Sequence, residues 1–245
     1  MGGRRRPQEP APGSATAHTT SLSRVGVIGV VGLLGAAASV ATMALPGSAA
    51  TDRARWLLNE TAGSIAFDAT GNGNNGVADN TTGDGAGYRF NGVNSRVVVP
   101  SSSSLNPGIA PFSFSVTFST SAPLGTGEDY DMLRKGLAAT KGGEYKVELI
   151  QVNGQGRALC LVKDALKVTA TIRGTTNLID GKTHTITCSK TSTGVTMYVD
   201  GLAPRSKVVP LLGSISNTAS LVLGAKAEGG DWYDGYLGEA SVTSS

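Results

Sequence analysis

Histidine is almost absent from this chain, with two in 245 residues, His18 and His184. Aromatic side chains make up 5%, and cysteine occurs only at positions 160 and 188. One histidine beyond the N-terminal segment, with two cysteines, leaves too few ligands for zinc. A Ser-His-Asp triad lacks its nucleophile turn, because no G-x-S-x-G occurs. His184 shares a strand face with Ile186 and Cys188 and is expected to be a packed, hydrogen-bonded core residue. A basic surface is missing as well. The formal charge of +3 sits in the first 50 residues, where Arg4, Arg5, Arg6 and Arg24 face only Glu9. Removing these from 21 basic and 18 acidic residues leaves 17 of each, so no nucleic-acid footprint is expected.

Apolar residues at helical spacing are lacking beyond Ala54, which disposes of a tempting motif. Gly71-Asn72-Gly73-Asn74-Asn75-Gly76 is a literal G-x-G-x-x-G. A dinucleotide site needs a helix N-terminus straight after the glycines, and VADNTTGDGAGYRF follows instead. The loop needs another explanation.

The N-terminal segment has three parts: an Arg-containing polar stretch to Arg24, the uncharged run VGVIGVVGLLGAAASVATMAL at 25–45, and PGSAA. Ser48 and Ala50 fit a small-residue cleavage site, so residues 1–50 read as a signal peptide cut after Ala50. The alternative is an uncleaved membrane anchor, which the Gly and Ala content of the run disfavours. Export makes a disulfide between Cys160 and Cys188 the default and two buried thiols the alternative. A simple meander would hold the cysteines on next-but-one strands, ~9–10 Å apart and beyond bridging. A bond therefore requires 183–190 to pair beside 158–163 or to face it from another sheet.

What is present is alternation. Phe112, Phe114, Val116 and Phe118 interleave with Ser113, Ser115 and Thr117. Tyr145, Val147 and Leu149 do so with Lys146 and Glu148, and Val195, Met197 and Val199 with Thr196 and Tyr198. Strands are also expected at 56–58, 87–90, 95–99, 132–135, 158–163, 167–172, 183–190, 220–223 and 235–242, between Gly-, Asn- and Asp-rich turns. The pattern predicts one all-β domain over residues 52–245, an antiparallel sandwich or barrel.

The order of the pieces resembles secreted bacterial laminin-G-like domains of the concanavalin A-like lectin/glucanase superfamily. It runs through WLLNE (56–60), DATGNGNNG (68–76), YRFNGVNSRVVVP (88–100), FSFSVTFST (112–120) and LRKG (133–136). YKVELI (145–150), DGKTHTITCSKT (180–191), VTMYVDG (195–201), LVLGA (221–225) and GYLGEASV (235–242) complete it. The resemblance implies a two-sheet antiparallel jelly-roll sandwich and a Cys160–Cys188 pair like that of secreted members. It departs at Thr183, where the family usually carries Trp.

The implied functions are binding or adhesion, because fold alone does not set activity. Relatives that hydrolyse β-glucans carry an E-x-D-x-x-E-type strand, and none occurs here. Glu128, Asp129 and Asp131 fall in a Gly-flanked loop, and Glu144 and Glu148 share one strand face. All five are expected to be solvated surface, so no enzyme is expected. Asp68 and the Gly/Asn loop offer hard oxygen ligands, and the family pattern brings Glu239 near them. A structural Ca²⁺ held by Asp68, Asn72, Asn74 and Glu239 is one reading, and a turn without metal is the other. Tyr130, with Asp231, Trp232, Tyr233, Asp234 and Tyr236, has the aromatic and carboxylate content of a sugar-recognition rim. Trp232 could instead cover the end of the sandwich. The expected partner is an extracellular glycan or a cell-surface protein.

Overall fold

The computed structural model describes residues 50–244, which form strands and turns with no helix. No helix among them is long and apolar enough to cross a membrane. The expected signal peptide, up to residue 49, lies outside the described residues. The chain runs through β1 (Thr51–Trp56), β2 (Ile65–Ala66), β3 (Gly76–Asp79), β4 (Thr82–Gly83), β5 (Tyr88–Asn91) and β6 (Arg96–Val99). Next come β7 (Phe112–Ser119), β8 (Asp129–Lys135), β9 (Glu144–Val152), β10 (Gln155–Lys163) and β11 (Thr169–Arg173). β12 (Thr183–Thr191), β13 (Gly194–Val199), β14 (Arg205–Val208), β15 (Leu221–Leu223) and β16 (Asp234–Ser244) end it.

Two antiparallel sheets result. The first is ordered β14-β13-β12-β7-β16-β5-β4, and β1 also pairs with β16. β16 is long enough to pair with β5 through Asp234–Leu237 and with β1 through Ala240–Ser244. The second is ordered β11-β10-β9-β8-β15-β6-β3-β2. Period-two patterning assigns the faces. Phe112, Phe114, Val116 and Phe118 point between the sheets, where Phe112 and Phe114 pack on Tyr145 at ring distances of 5.1 and 5.0 Å. The interleaved hydroxyls point outward and pair across strands, as Ser113–Ser189 at 2.7 Å and Thr117–Thr185 at 2.9 Å.

Cys160 on β10 and Cys188 on β12 are bonded, with Cα atoms 6.0 Å apart. Their strands belong to different sheets, so β9, β10 and β11 keep their meander and the bond spans the sandwich instead. His184 is buried on β12 against Phe118, bonded to Asp180 and Asp200 at 2.9 and 2.8 Å.

Three expectations change. The first strand lies at Thr51–Trp56 rather than 56–58, because Leu58 takes a left-handed φ of 52° that stops the ladder. Asp129 and Asp131 are not in a loop but on β8, paired with Ile150 and Glu148. Asp131, Glu144 and Glu148 are not solvated: none exceeds 3% exposure. They lie on the outward face of the second sheet, tiled against cations. Arg134 bridges Asp131 and Glu144, Lys146 binds Glu148, and Lys163 lies 3.1 Å from Glu144. Burial pushes Glu148 up to about 7 in spite of Lys146, and it raises Asp131 in spite of Arg134.

Candidate functional site

The rim residues are assembled by two turns. Asn91 accepts the amides of Val93, Asn94 and Ser95 on its side-chain oxygen, an Asx-type turn that fixes 91–95. Across from it, Gly229, Gly230 and Asp231 all take left-handed φ, at 93°, 95° and 49°. This returns the chain sharply, Lys226 N bonding Gly230 O and Tyr233 N bonding Gly224 O. The amide of Asp131 donates to Asp231 O at 3.0 Å and docks the turn beside β8.

Between the 91–93, 127–130 and 231–234 segments lies a cleft of about 420 Å³. Trp232, Glu128, Asp129, Asp231 and Asp234 line it, and no cationic side chain does. Trp232 is half-buried and also walls a second hollow of about 430 Å³, with Asp79, Asn80, Asn94, Arg96 and Glu228. One indole thus divides a longer groove. Its N–H makes no hydrogen bond among the described residues.

Not every expected rim residue belongs here. Tyr233 is fully buried, packed on Phe90, Phe118 and Tyr130, with its hydroxyl donating to Ser119 O. Tyr130 is 8% exposed and its hydroxyl donates to Pro123 O, so it backs the cleft rather than presenting a ring. Tyr236 lies on the outward face of the first sheet, outside the cleft. Strand parity separates them: with Leu237 in the core, Tyr233 and Gly235 point in while Asp234 and Tyr236 point out.

Asp129 and Asp231 hydrogen-bond each other through their side chains. Burial, then this contact, pushes Asp129 up to about 7. Burial also opposes charge on Asp231, but Asp129 and Lys226 together hold its carboxyl below the usual range. Asp129 is therefore the proton carrier of the pair at mild acidity. A carboxyl raised in the folded state binds more protons than in the unfolded chain, so stability falls as pH rises from about 4 to 7. Asp129→Asn is expected to flatten that slope and to add about 1 kcal/mol at pH 8 after solvent screening. Thermal melts of both proteins between pH 4 and 8 measure it, and parallel curves would refute the shared proton.

The calcium reading meets a different geometry. Asp68 Oδ1 accepts the Arg55 amide and the amide and hydroxyl of Thr70 at 3.1, 3.0 and 2.7 Å. Oδ2 accepts the Asn74 amide and side-chain nitrogen at 3.0 and 3.2 Å. Asn72 donates to Asp52 O and Arg53 O, and Asn74 Oδ1 accepts Ser102 and Ser104. Glu239 is held by the Arg55 guanidinium at 2.9 and 3.1 Å. N–H and O–H donors occupy the side-chain oxygens a cation would need, so this arrangement does not fit Ca²⁺. Burial raises the Asp68 carboxyl, but the bonds from Thr70, Asn74 and Arg55 outweigh it and hold it low. The loop's work is structural: Trp56, wholly buried, donates its indole N–H to Asn74 O at 2.7 Å. Asp68→Ala is expected to lower the melting temperature equally in calcium and in chelator, while neither shifts wild type. A calcium-dependent rise in wild type that the variant loses would restore the metal.

Two stacked antiparallel sheets, with a Trp-bearing cleft at one rim, define a jelly-roll sandwich. A laminin-G-like family profile, described as "Concanavalin A-like lectin/glucanases superfamily", matches residues 90–245. The chain belongs to that superfamily. No curated protein sequence matches it. Among solved structures it is similar to domain 4 of AbnA, an extracellular arabinanase from Geobacillus stearothermophilus, in complex with arabinotriose. That match has TM-score 0.55 and 15% identity over 80% of this chain and 93% of the other. It is also similar to the binding domain of botulinum neurotoxin serotype G, with TM-score 0.59 and 12% identity over 78% of this chain and 47% of the other. A structure of botulinum neurotoxin type C, whose cell entry is described as dependent upon interaction with two ganglioside molecules, gives TM-score 0.57 and 9% identity, over 77% of this chain and 47% of the other. The chain spans about half the length of the neurotoxin domains, and identities this low speak for the fold alone.

Proposed function

We propose that the domain is an exported, non-catalytic module that binds a glycan along the Trp232 groove. The observation that carries the reading is the half-buried indole between two hollows, beside Glu128, Asp129, Asp231 and Asp234, of which Asp231 and Asp234 are ion-paired with Lys226 and Arg89. An aromatic face stacks on the apolar side of a pyranose while carboxylates accept its hydroxyl protons. With Asp129 protonated at mild acidity and Asp231 and Asp234 ion-paired, Glu128 leaves one net negative charge that disfavours anionic sugars, so neutral or amino sugars are the expected class. The complex of the arabinanase domain with arabinotriose supports a sugar ligand, and the cross-sheet disulfide supports an oxidising compartment.

Hydrolysis has little support. A glycosidase holds two carboxyl groups ~5–10 Å apart across the sugar. Asp129 and Asp231 instead bond to each other, and Asp131 and Glu148 are buried under paired cations. A protein ligand on the same rim is the rival.

A glycan array followed by calorimetry separates them. Neutral glycans should bind and sulfated or sialylated ones should not. Trp232→Ala should weaken binding at least tenfold, about 1.4 kcal/mol, with little change in melting temperature. An array without hits, or an unchanged affinity in the variant, removes the reading.

A further inference from the structure

Tyr236 left the rim but did not become featureless surface. It walls a separate depression of about 460 Å³ on the outward face of the first sheet, within the size range of small-ligand pockets. The depression has a structural cause. β16 carries a bulge: Leu237 pairs with Phe118 and Glu239 with Thr117, so Gly238 is the extra residue. A bulge bends its strand and re-aims neighbouring side chains. A Cβ at Gly238 would meet nothing closer than 3.6 Å, so the backbone there stays open to a ligand.

The floor follows from register. One row runs Tyr236–Ser119–Thr183 across β16, β7 and β12, and the next runs Glu239–Thr117–Thr185. The Tyr236 ring is fixed before any ligand arrives. Its hydroxyl donates to Asp84 Oδ2 at 2.9 Å, and Gly87 packs so close that an added Cβ would lie 3.2 Å from Cδ1. A ring with its orientation already set loses little entropy on stacking.

The polar groups divide into committed and free. Asp84 already accepts Tyr236 and the amides of Ala86 and Gly87, and Glu239 is clasped by Arg55. Thr117 and Thr185 satisfy each other. The hydroxyls of Ser119 and Thr183 make no hydrogen bond among the described residues, and Thr183 is exposed. A site whose carboxylates are already hydrogen-bonded or ion-paired, with a fixed aromatic wall and spare hydroxyls, matches a neutral polyol rather than an ion.

We propose that this depression, framed by Tyr236, Ser119, Thr183 and Gly238, is a second sugar-binding site that takes one neutral pyranose residue. It shares no lining residue with the Trp232 cleft and is independent of it. Two sites on separate surfaces would let one domain engage two chains of a polysaccharide, with avidity beyond either site alone.

The test is an amide chemical-shift titration of the whole folded domain. The probes are methyl glycosides of glucose, galactose, mannose, xylose and arabinose, each raised to roughly 50 mM, well above the ~1 mM affinity of a weak single-sugar site. At least one glycoside should move the amides of Ser119, Thr183, Tyr236 and Gly238 along a saturable curve. Thr183→Trp, which fills the depression from an exposed position, and Ser119→Ala should each weaken that curve at least tenfold. Trp232→Ala should leave it unchanged, which separates failure here from failure of the rim site. The inference is overturned if no glycoside moves these amides, if the shifts survive Thr183→Trp, or if Trp232→Ala abolishes them.

Discussion

Replacing Arg134 with methionine is expected to cost about 3–5 kcal/mol, the range for stranding buried charges. The guanidinium is 6% exposed, binds Asp131 and Glu144, and donates to Gly136 O at 3.0 Å. Without it, Asp131 at 0% exposure and Glu144 at 3% lose their shared cation, and Asp131 Oδ1 already has no hydrogen-bond partner. At roughly 2–4 °C per kcal/mol for a domain of this size, the melting temperature should fall by about 10 °C. The sign with pH is definite. Asp131, whose carboxyl burial already raises, then contributes a penalty that is absent below its unfolded value and grows as pH rises. The deficit should therefore be largest near neutrality and shrink toward pH 4. Adding Asp131→Asn and Glu144→Gln to the variant should recover most of the loss. Urea denaturation at pH 4 and 7 measures this, and a deficit independent of pH would mean that lost packing, rather than stranded charge, is the cause.

Breaking the cross-sheet bond should cost nearly as much. A 28-residue separation gives about 3–4 kcal/mol from the chain entropy of the unfolded state. Both cysteines are fully buried, so a reductant reaches the bond only through unfolded molecules. The comparison is therefore made at equilibrium in urea, wild type against Cys160→Ala/Cys188→Ala, with and without reductant. The double variant should unfold at markedly lower urea in both conditions, and wild type should join it only when reduced. Coincident midpoints throughout would contradict a stabilising bond.

The alternating strands and the jelly roll could be read directly because alternation along β7, β9, β12 and β13 is a local property. What lay beyond reach depended on other strands. Tyr145-Lys146-Val147-Glu148-Leu149 has the same pattern whether its charged face meets water or a tile of opposite charges. Arg134 and Lys163, which decide the matter, come from β8 and β10. The Gly-flanked acids 128–131 suggested a loop for a similar reason, since only pairing with β9 makes Asp129 and Asp131 part of a ladder. Asp68 offered oxygens suited to calcium, but local sequence does not show that the amides of Arg55, Thr70 and Asn74 converge on them. The scattering of the rim tyrosines was legible in principle. Once GYLGEASV is a strand with Leu237 inward, parity sends Tyr233 to the core and Tyr236 to the far face. Trp232, in the turn before that strand, is half-buried and lines the cleft.

The decisive measurement uses the two tryptophans, which differ in environment: Trp56 is wholly buried and Trp232 half-buried. In a Trp56→Phe protein, emission reports Trp232 alone. Titration with the best neutral oligosaccharide from the array should shift that emission to shorter wavelength along a saturable curve, with an affinity equal to the calorimetric one. If calorimetry shows binding while Trp232 emission stays unchanged, the ligand sits elsewhere and the groove is not the recognition site.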